Sequence, residues 1–118
     1  MKNFNFYITH EHYNKILNVS KKYDFFRKIN NIIIPDITKS LKFIILNCNN
    51  ISIDELDLNI FKMIKYKRLD KEKNIHISLS NDELKLIDKF AKTFGFLKAN
   101  NNTNYYKCIN AMLELGDY

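Results

Sequence analysis

The sequence predicts a mainly α-helical domain carrying one short two-stranded antiparallel ribbon. Two stretches, near residues 3–9 and 74–80, alternate apolar and polar side chains, and each runs directly into a segment of helical periodicity. The second stretch with its helices also repeats the pattern of the first, so each supplies the partner strand that the other lacks.

The later copy is the clearer one. In Asn74-Ile75-His76-Ile77-Ser78-Leu79-Ser80 the residues Ile75, Ile77 and Leu79 point one way and His76, Ser78 and Ser80 the other. The period changes at Ser80-Asn81-Asp82-Glu83, where a capping side chain and an acidic first turn suit a helix N-terminus. Leu84, Ile87, Phe90, Ala91 and Phe94 follow at helical spacing, and Gly95 is a natural stop. An Asn-rich loop then leads to a second helix from about Thr103, expected to end at Gly116.

A shift of seventy-one residues lays Phe4, Phe6 and Ile8 over Ile75, Ile77 and Leu79, and Tyr13, Ile16, Val19, Ser20 and Tyr23 over Leu84, Ile87, Phe90, Ala91 and Phe94. The next segment needs a shift three residues smaller, which implies a longer first loop. With it, Ile37, Lys39, Leu41, Ile44 and Ile45 fall over Tyr105, Lys107, Ile109, Met112 and Leu113. The repeat is one of pattern, with few identities. The expected organisation is a single compact domain over 1–118: a strand-helix-helix unit at 3–47, a connector with a helix at 48–73, and a second unit at 74–118.

Strand, helix, turn, helix, with an alternating strand and a capped second helix, resembles the ribbon-helix-helix family of DNA-binding proteins, the Arc and MetJ class. In that family two copies pair their strands into a ribbon that enters the major groove, with four helices behind it. Here both copies would lie on one chain as a tandem pseudodimer, as in conjugative-transfer accessory proteins with two units. The resemblance implies that outward strand residues read base edges: Asn3, Asn5 and Tyr7 in one strand, Asn74, His76 and Ser78 in the other. Asn suits a bidentate pair with adenine, and His, Ser or Tyr can donate or accept. It also implies a phosphate held at the N-terminus of each second helix, by Asn102, Thr103 and Asn104 in the later copy. In the first copy Asp36 sits at the cap and would repel a phosphate, although Thr38 and Lys39 follow closely. The family often has Arg or Lys in the ribbon, whereas residues 3–9 and 74–80 have neither.

Composition sets wider bounds. With 118 residues and 46% hydrophobic content the chain can bury a core, to which nine Phe and seven Tyr contribute while Trp is absent. A net charge of +6 suits an anionic partner. Of its nineteen Lys and Arg only Arg27 and Arg68 are Arg, and the abundance of Ile, Asn and Lys fits AT-rich codons, so part of that charge is compositional. Cys48 and Cys108 match no metal spacing and read as packed thiols. The His10-x-His12 pair, with no third ligand near, reads as two solvated side chains rather than a metal site. No apolar run is long enough to span a bilayer and no signal-peptide core follows Met1, so a cytoplasmic location is expected.

Two segments are less patterned. Residues 24–35 contain Phe25, Phe26, Ile29 and Ile32 to Ile34 and are expected to pack, as a short helix and an extended piece ended by Pro35. Ser52-Ile53-Asp54-Glu55 has capping-box form, predicting a helix with Leu56, Ile60, Met63 and Ile64 buried. Beyond it Lys67 and Arg68 are candidates for phosphate contact. The competing arrangement pairs 64–68 with 75–79 as a basic β-hairpin, resembling the wing of a winged helix-turn-helix protein, with a recognition helix near 52–63 or 36–47.

No Gly-rich phosphate loop, paired carboxylate or Ser/His/Asp grouping is present, so the chain is not expected to be an enzyme and no cofactor, metal or small-molecule substrate is expected. The expected function is sequence-specific double-stranded DNA binding, in repression, plasmid or phage maintenance, or transfer, with self-association side by side on DNA. The alternative of another class is a protein-interaction adaptor or inhibitor that does not bind DNA.

Overall fold

The two alternating stretches form the strands behind which the helices pack. In the computed structural model, which describes residues 2–48, 53–63 and 73–118 (61–63 as backbone only), β1 (Lys2–Ile8) pairs antiparallel with β4 (Lys73–Leu79) over the whole length of both. Opposite partners run from Lys2 with Leu79 through Asn5 with His76 to Ile8 with Lys73. The inner face buries Phe6, Ile8, Ile75, Ile77 and Leu79, with Phe4 partly covered. Because side chains alternate, a one-residue slip would move this whole set into solvent, so the core fixes the register.

Each strand leads through a capping residue into a helix. Thr9 caps α1 (His10–Tyr23) by accepting from the backbone N–H of His12, and Ser80 caps α4 (Asn81–Phe94) in a full capping box with Glu83. Both helices have 14 residues and both end on a left-handed residue, Asp24 (φ 58°) and Gly95 (φ 79°). Only glycine adopts that conformation without strain, and Asp is among the few side chains that tolerate it. Asp36 and Asn104 then cap α2 (Ile37–Leu46) and α5 (Tyr105–Leu115) through their side-chain oxygens. Even the linking hydrogen bonds correspond: Phe25 N–H to Ser20 C=O and Asp36 N–H to Phe25 C=O in one copy, Phe96 to Ala91 and Asn104 to Phe96 in the other. A short α3 (Glu55–Met63) packs against α5.

The copies interlock. Besides packing within its own copy, α1 meets α5 and α4 meets α2, while α2 and α5 touch each other. Ile16, Leu41, Ile44, Ile87, Ile109 and Met112, all fully buried, form the shared core. Each such side chain contributes roughly 1.5–3 kcal/mol by leaving water. Two polar contacts cross between the copies at equivalent positions. His12 sets Nδ1 against Asn110 Oδ1 at 3.0 Å and Nε2 against Glu114 Oε2 at 2.6 Å, and Glu83 meets Lys42 at 3.7 Å. Asn110 Nδ2 donates to the Tyr106 carbonyl, which leaves its Oδ1 to accept from the ring. Lys15 reaches the C-terminal end of α5 and donates to the Leu113 and Glu114 carbonyls at 2.8 and 3.2 Å.

Three sequence expectations need correction. Phe25 packs against the core as expected, but the segment after it neither forms a short helix nor fills the interior: β2 (Phe26–Ile29) and β3 (Ile32–Pro35) form a hairpin whose Ile32 and Ile33 are 63% and 70% exposed. Asn30 and Asn31, both at positive φ, make the two-residue turn, and strand pairing satisfies the backbone without burial. Around α3, Leu56 and Ile60 are exposed, and Leu58 together with Ile53 just before the helix packs against the core instead; Ile64 lies outside the described residues. His12 is buried rather than solvated, since its hydrogen-bond partners come from α5, ninety-eight and more residues away in sequence.

Removing the His12 ring should therefore cost much more than removing its neighbour. His12→Ala leaves Asn110 Oδ1 buried without its donor and should lower unfolding stability by about 2 kcal/mol in a denaturant titration. His10→Ala, at an exposed position, should change it by less than about 0.5 kcal/mol; equal losses would refute the buried contact. A second expectation concerns Cys108, whose thiol is fully buried and pushed up to about 12 by that burial. The unfolded thiol ionises from 9.0, so Cys108 contributes a stability that is intact below that pH and lost between 9 and about 12. Its slope is up to about 1.4 kcal/mol per pH unit, and Cys108→Ala should flatten the alkaline limb measured by chemical denaturation. Burial also raises Tyr105 and Tyr118, which leaves a residual slope at higher pH.

Candidate nucleic-acid interface

The outer face of the ribbon is polar along its length. Opposite pairs on this face are Asn3 with Ser78, Asn5 with His76, and Tyr7 with Asn74, so all six side chains singled out for base reading share one surface. Asn3, Asn5, Asn74 and His76 are exposed, and Tyr7 and Ser78 are half-buried. Ser78 Oγ donates to Asn3 Oδ1 across the strands. Under the seventy-one-residue repeat Asn5 corresponds to His76, and these two residues also stand opposite each other. The pseudo-two-fold axis therefore passes between them. It relates Asn3 to Asn74, and Tyr7 to Ser78, which makes the outer surface symmetric in backbone and asymmetric in chemistry.

Both strands begin one residue earlier than the sequence reading placed them, and each begins with lysine. These lysines, Lys2 and Lys73, are repeat equivalents, a signal in the sequence that apolar alternation alone does not capture. Both share the parity of the inward-facing residues, so they stand at the ends of the ribbon and its outer face carries neither Lys nor Arg. Lys2 Nζ lies 5.3 Å from the ring centroids of Phe4 and Tyr105, and Lys73 Nζ lies 5.6 Å from that of Tyr13. Each is anchored at one end of the ribbon over an aromatic face.

A groove borders the ribbon on each side. One is shared by Lys2, Asn5, Lys92, Lys98 and the loop Asn101 to Asn104. The three residues proposed there for phosphate binding are thus beside β1, but two are engaged within the protein. Thr103 Oγ1 donates to Asp88 at 2.7 Å, and Asn104 Oδ1 accepts from the Lys107 amide at 3.1 Å. Tyr105 also donates to Asp88, at 3.0 Å, and burial followed by this carboxylate holds its hydroxyl above the usual range. The Asn102 amide donates to Asn100 Oδ1. Lys92 and Lys98 were missed because neither stands in a motif; only the fold brings the end of α4 and the following loop to the ribbon.

The other groove is lined by Arg27, Asp36, Thr38, Lys73, Asn74 and His76, among others. Thr38 also adjoins Asn3, Asn5 and Ser78 over the middle of the ribbon. Asp36 occupies the cap as expected, its Oδ1 accepting from the Lys39 amide at 3.0 Å, and the Lys39 ammonium sits 5.0 Å from the centroid of Phe25. Lys67, Arg68 and the proposed wing strand 64–68 lie outside the described residues. Among the described residues no group of three or more His, Cys, Asp or Glu side chains is arranged to hold a metal ion, and no helix is long and apolar enough to cross a membrane. Comparison of the chain with protein-family models, with curated proteins and with solved structures returned no match.

Proposed function

We propose that the chain is a sequence-specific double-stranded DNA-binding protein, a ribbon-helix-helix pseudodimer that reads the major groove with the outer face of β1 and β4. The observation that carries this reading is the β1–β4 register, which collects six polar side chains on one surface bordered by two lysine-bearing grooves. A major groove about 12 Å wide admits a two-stranded ribbon of this kind. Asn3, Asn5 and Asn74 would pair with adenine edges, His76 and Tyr7 would bond to whichever base presents a complementary group, and Lys2, Lys73, Lys92 and Lys98 would supply backbone attraction. Since Asn3 and Asn74 match across the pseudo-two-fold while Tyr7 and Ser78 do not, the preferred site has related outer positions and is not a full palindrome. No arginine faces outward from the ribbon, so discrimination is modest and is raised where copies bind side by side. Such a reader suits repression of an operon, plasmid or phage maintenance, or conjugative transfer.

A second reading, a protein-binding adaptor, is favoured by the exposed apolar side chains Ile32, Ile33, Leu56 and Ile60. Titration against generic duplex DNA at increasing salt separates the two. The DNA reader binds at low salt and loses affinity steeply as salt rises, whereas the adaptor shows no binding at low salt. In the DNA reading, Asn5→Ala and His76→Ala reduce discrimination between preferred and scrambled duplexes by roughly 1–3 kcal/mol each. Their effect on non-specific affinity should be small, and equal loss on both duplexes would remove the case for a reading ribbon.

A further inference from the structure

The first copy differs from the second by an insertion that the repeat does not need. Its longer loop becomes the β2–β3 hairpin, whereas the second copy has only an isolated bridge between Leu97 and Thr103 at the same place. The hairpin is not there to fill the core, because every residue of β2 is exposed. What it does is carry Arg27 into the groove beside β4, where Arg27 lines one wall together with Thr38, Lys73, Asn74 and His76. Among the described residues that line it, Asp36 is the only carboxylate, and its Oδ1 is turned to the Lys39 amide. Among the described residues no ion pair engages Arg27 or Lys73. Lys28 follows Arg27 in the strand, so it points to the opposite face of the hairpin, and it does not line the groove.

We propose that the β2–β3 hairpin is a third DNA-contacting element, with Arg27 and Lys73 binding a backbone phosphate at the β4 side of the ribbon. This inference rests on the DNA-binding reading above. A planar guanidinium can grip two phosphate oxygens at once, and here it faces the anion across a groove whose capping carboxylate would otherwise keep phosphate away. The partner groove at β1 relies on Lys92 and Lys98 instead, so the two flanks hold DNA by different chemistry. The hairpin thereby fixes which way round the pseudosymmetric ribbon sits.

The test compares the full chain with Arg27→Ala and Lys28→Ala on one preferred and one scrambled duplex across a salt series, with thermal melts to confirm that each variant folds. Arg27→Ala should weaken binding to both duplexes by a similar factor and reduce the slope of log K against log salt by about one. Hydroxyl-radical footprints should shorten at one end only. Lys28→Ala should leave slope and footprint close to those of the unsubstituted chain. An unchanged slope for Arg27→Ala while the parent chain binds DNA, or equal effects of the two variants, overturns the hairpin's role and leaves the ribbon reading standing. Failure of the parent chain to bind duplex at low salt overturns both.

Discussion

Neither strand-helix-helix segment can bury its own strand, and the antiparallel pairing of Lys2–Ile8 with Lys73–Leu79 is the constraint through which each completes the other. The pairing satisfies the strand backbones, and its inner face needs a floor, to which α2 contributes beneath β4 and Tyr105 of α5 contributes against Phe4 of β1. Because α1 packs on α5 and α4 on α2, separating the copies would strip both helix pairs as well as the ribbon. The His12–Asn110 and Glu83–Lys42 contacts occupy equivalent seams in this interlock. Their chemistry differs although their positions are equivalent. A buried polar pair adds little net stability when intact but is costly to break, so these seams act mainly to fix helix register.

The same constraint generates the outer surface. Once apolar residues alternate inward, the residues between them are forced outward in opposite pairs, and the pseudo-two-fold sets their order. Departures from symmetry then accumulate at the edges. One flank has Asn104 as cap with Lys92 and Lys98 beside it; the other has Asp36 as cap and an inserted hairpin bearing Arg27. A symmetric scaffold with unlike flanks is suited to a ligand that has direction.

How much of this was legible in the sequence followed from how local each signal is. The strands, α1, α4 and both second helices could be read to within a residue or two, because period-two and helical patterns with polar caps such as Ser80, Asp36 and Asn104 are written in neighbouring residues. The partnership of the strands was legible through the repeat. The hairpin is harder to read because apolar density in Phe26 to Ile34 suggests burial, and only the Asn30-Asn31 pair between two short runs signals a turn. The burial of His12 is illegible for a different reason: its partners lie on α5, and no local pattern announces a partner so distant. Lys92, Lys98 and Arg27 share that difficulty, since each reaches the ribbon flank only through tertiary packing.

The central claim is that the paired outer face of β1 and β4 is the surface that meets DNA. Backbone amide chemical shifts, followed by NMR while a short duplex is titrated into the labelled chain, test it most directly. The largest changes should fall on Asn3 to Tyr7 and Asn74 to Ser78, with smaller ones along the two bordering grooves. Changes confined to α3 or to the exposed Ile32 and Ile33, with the ribbon amides unmoved, would contradict it.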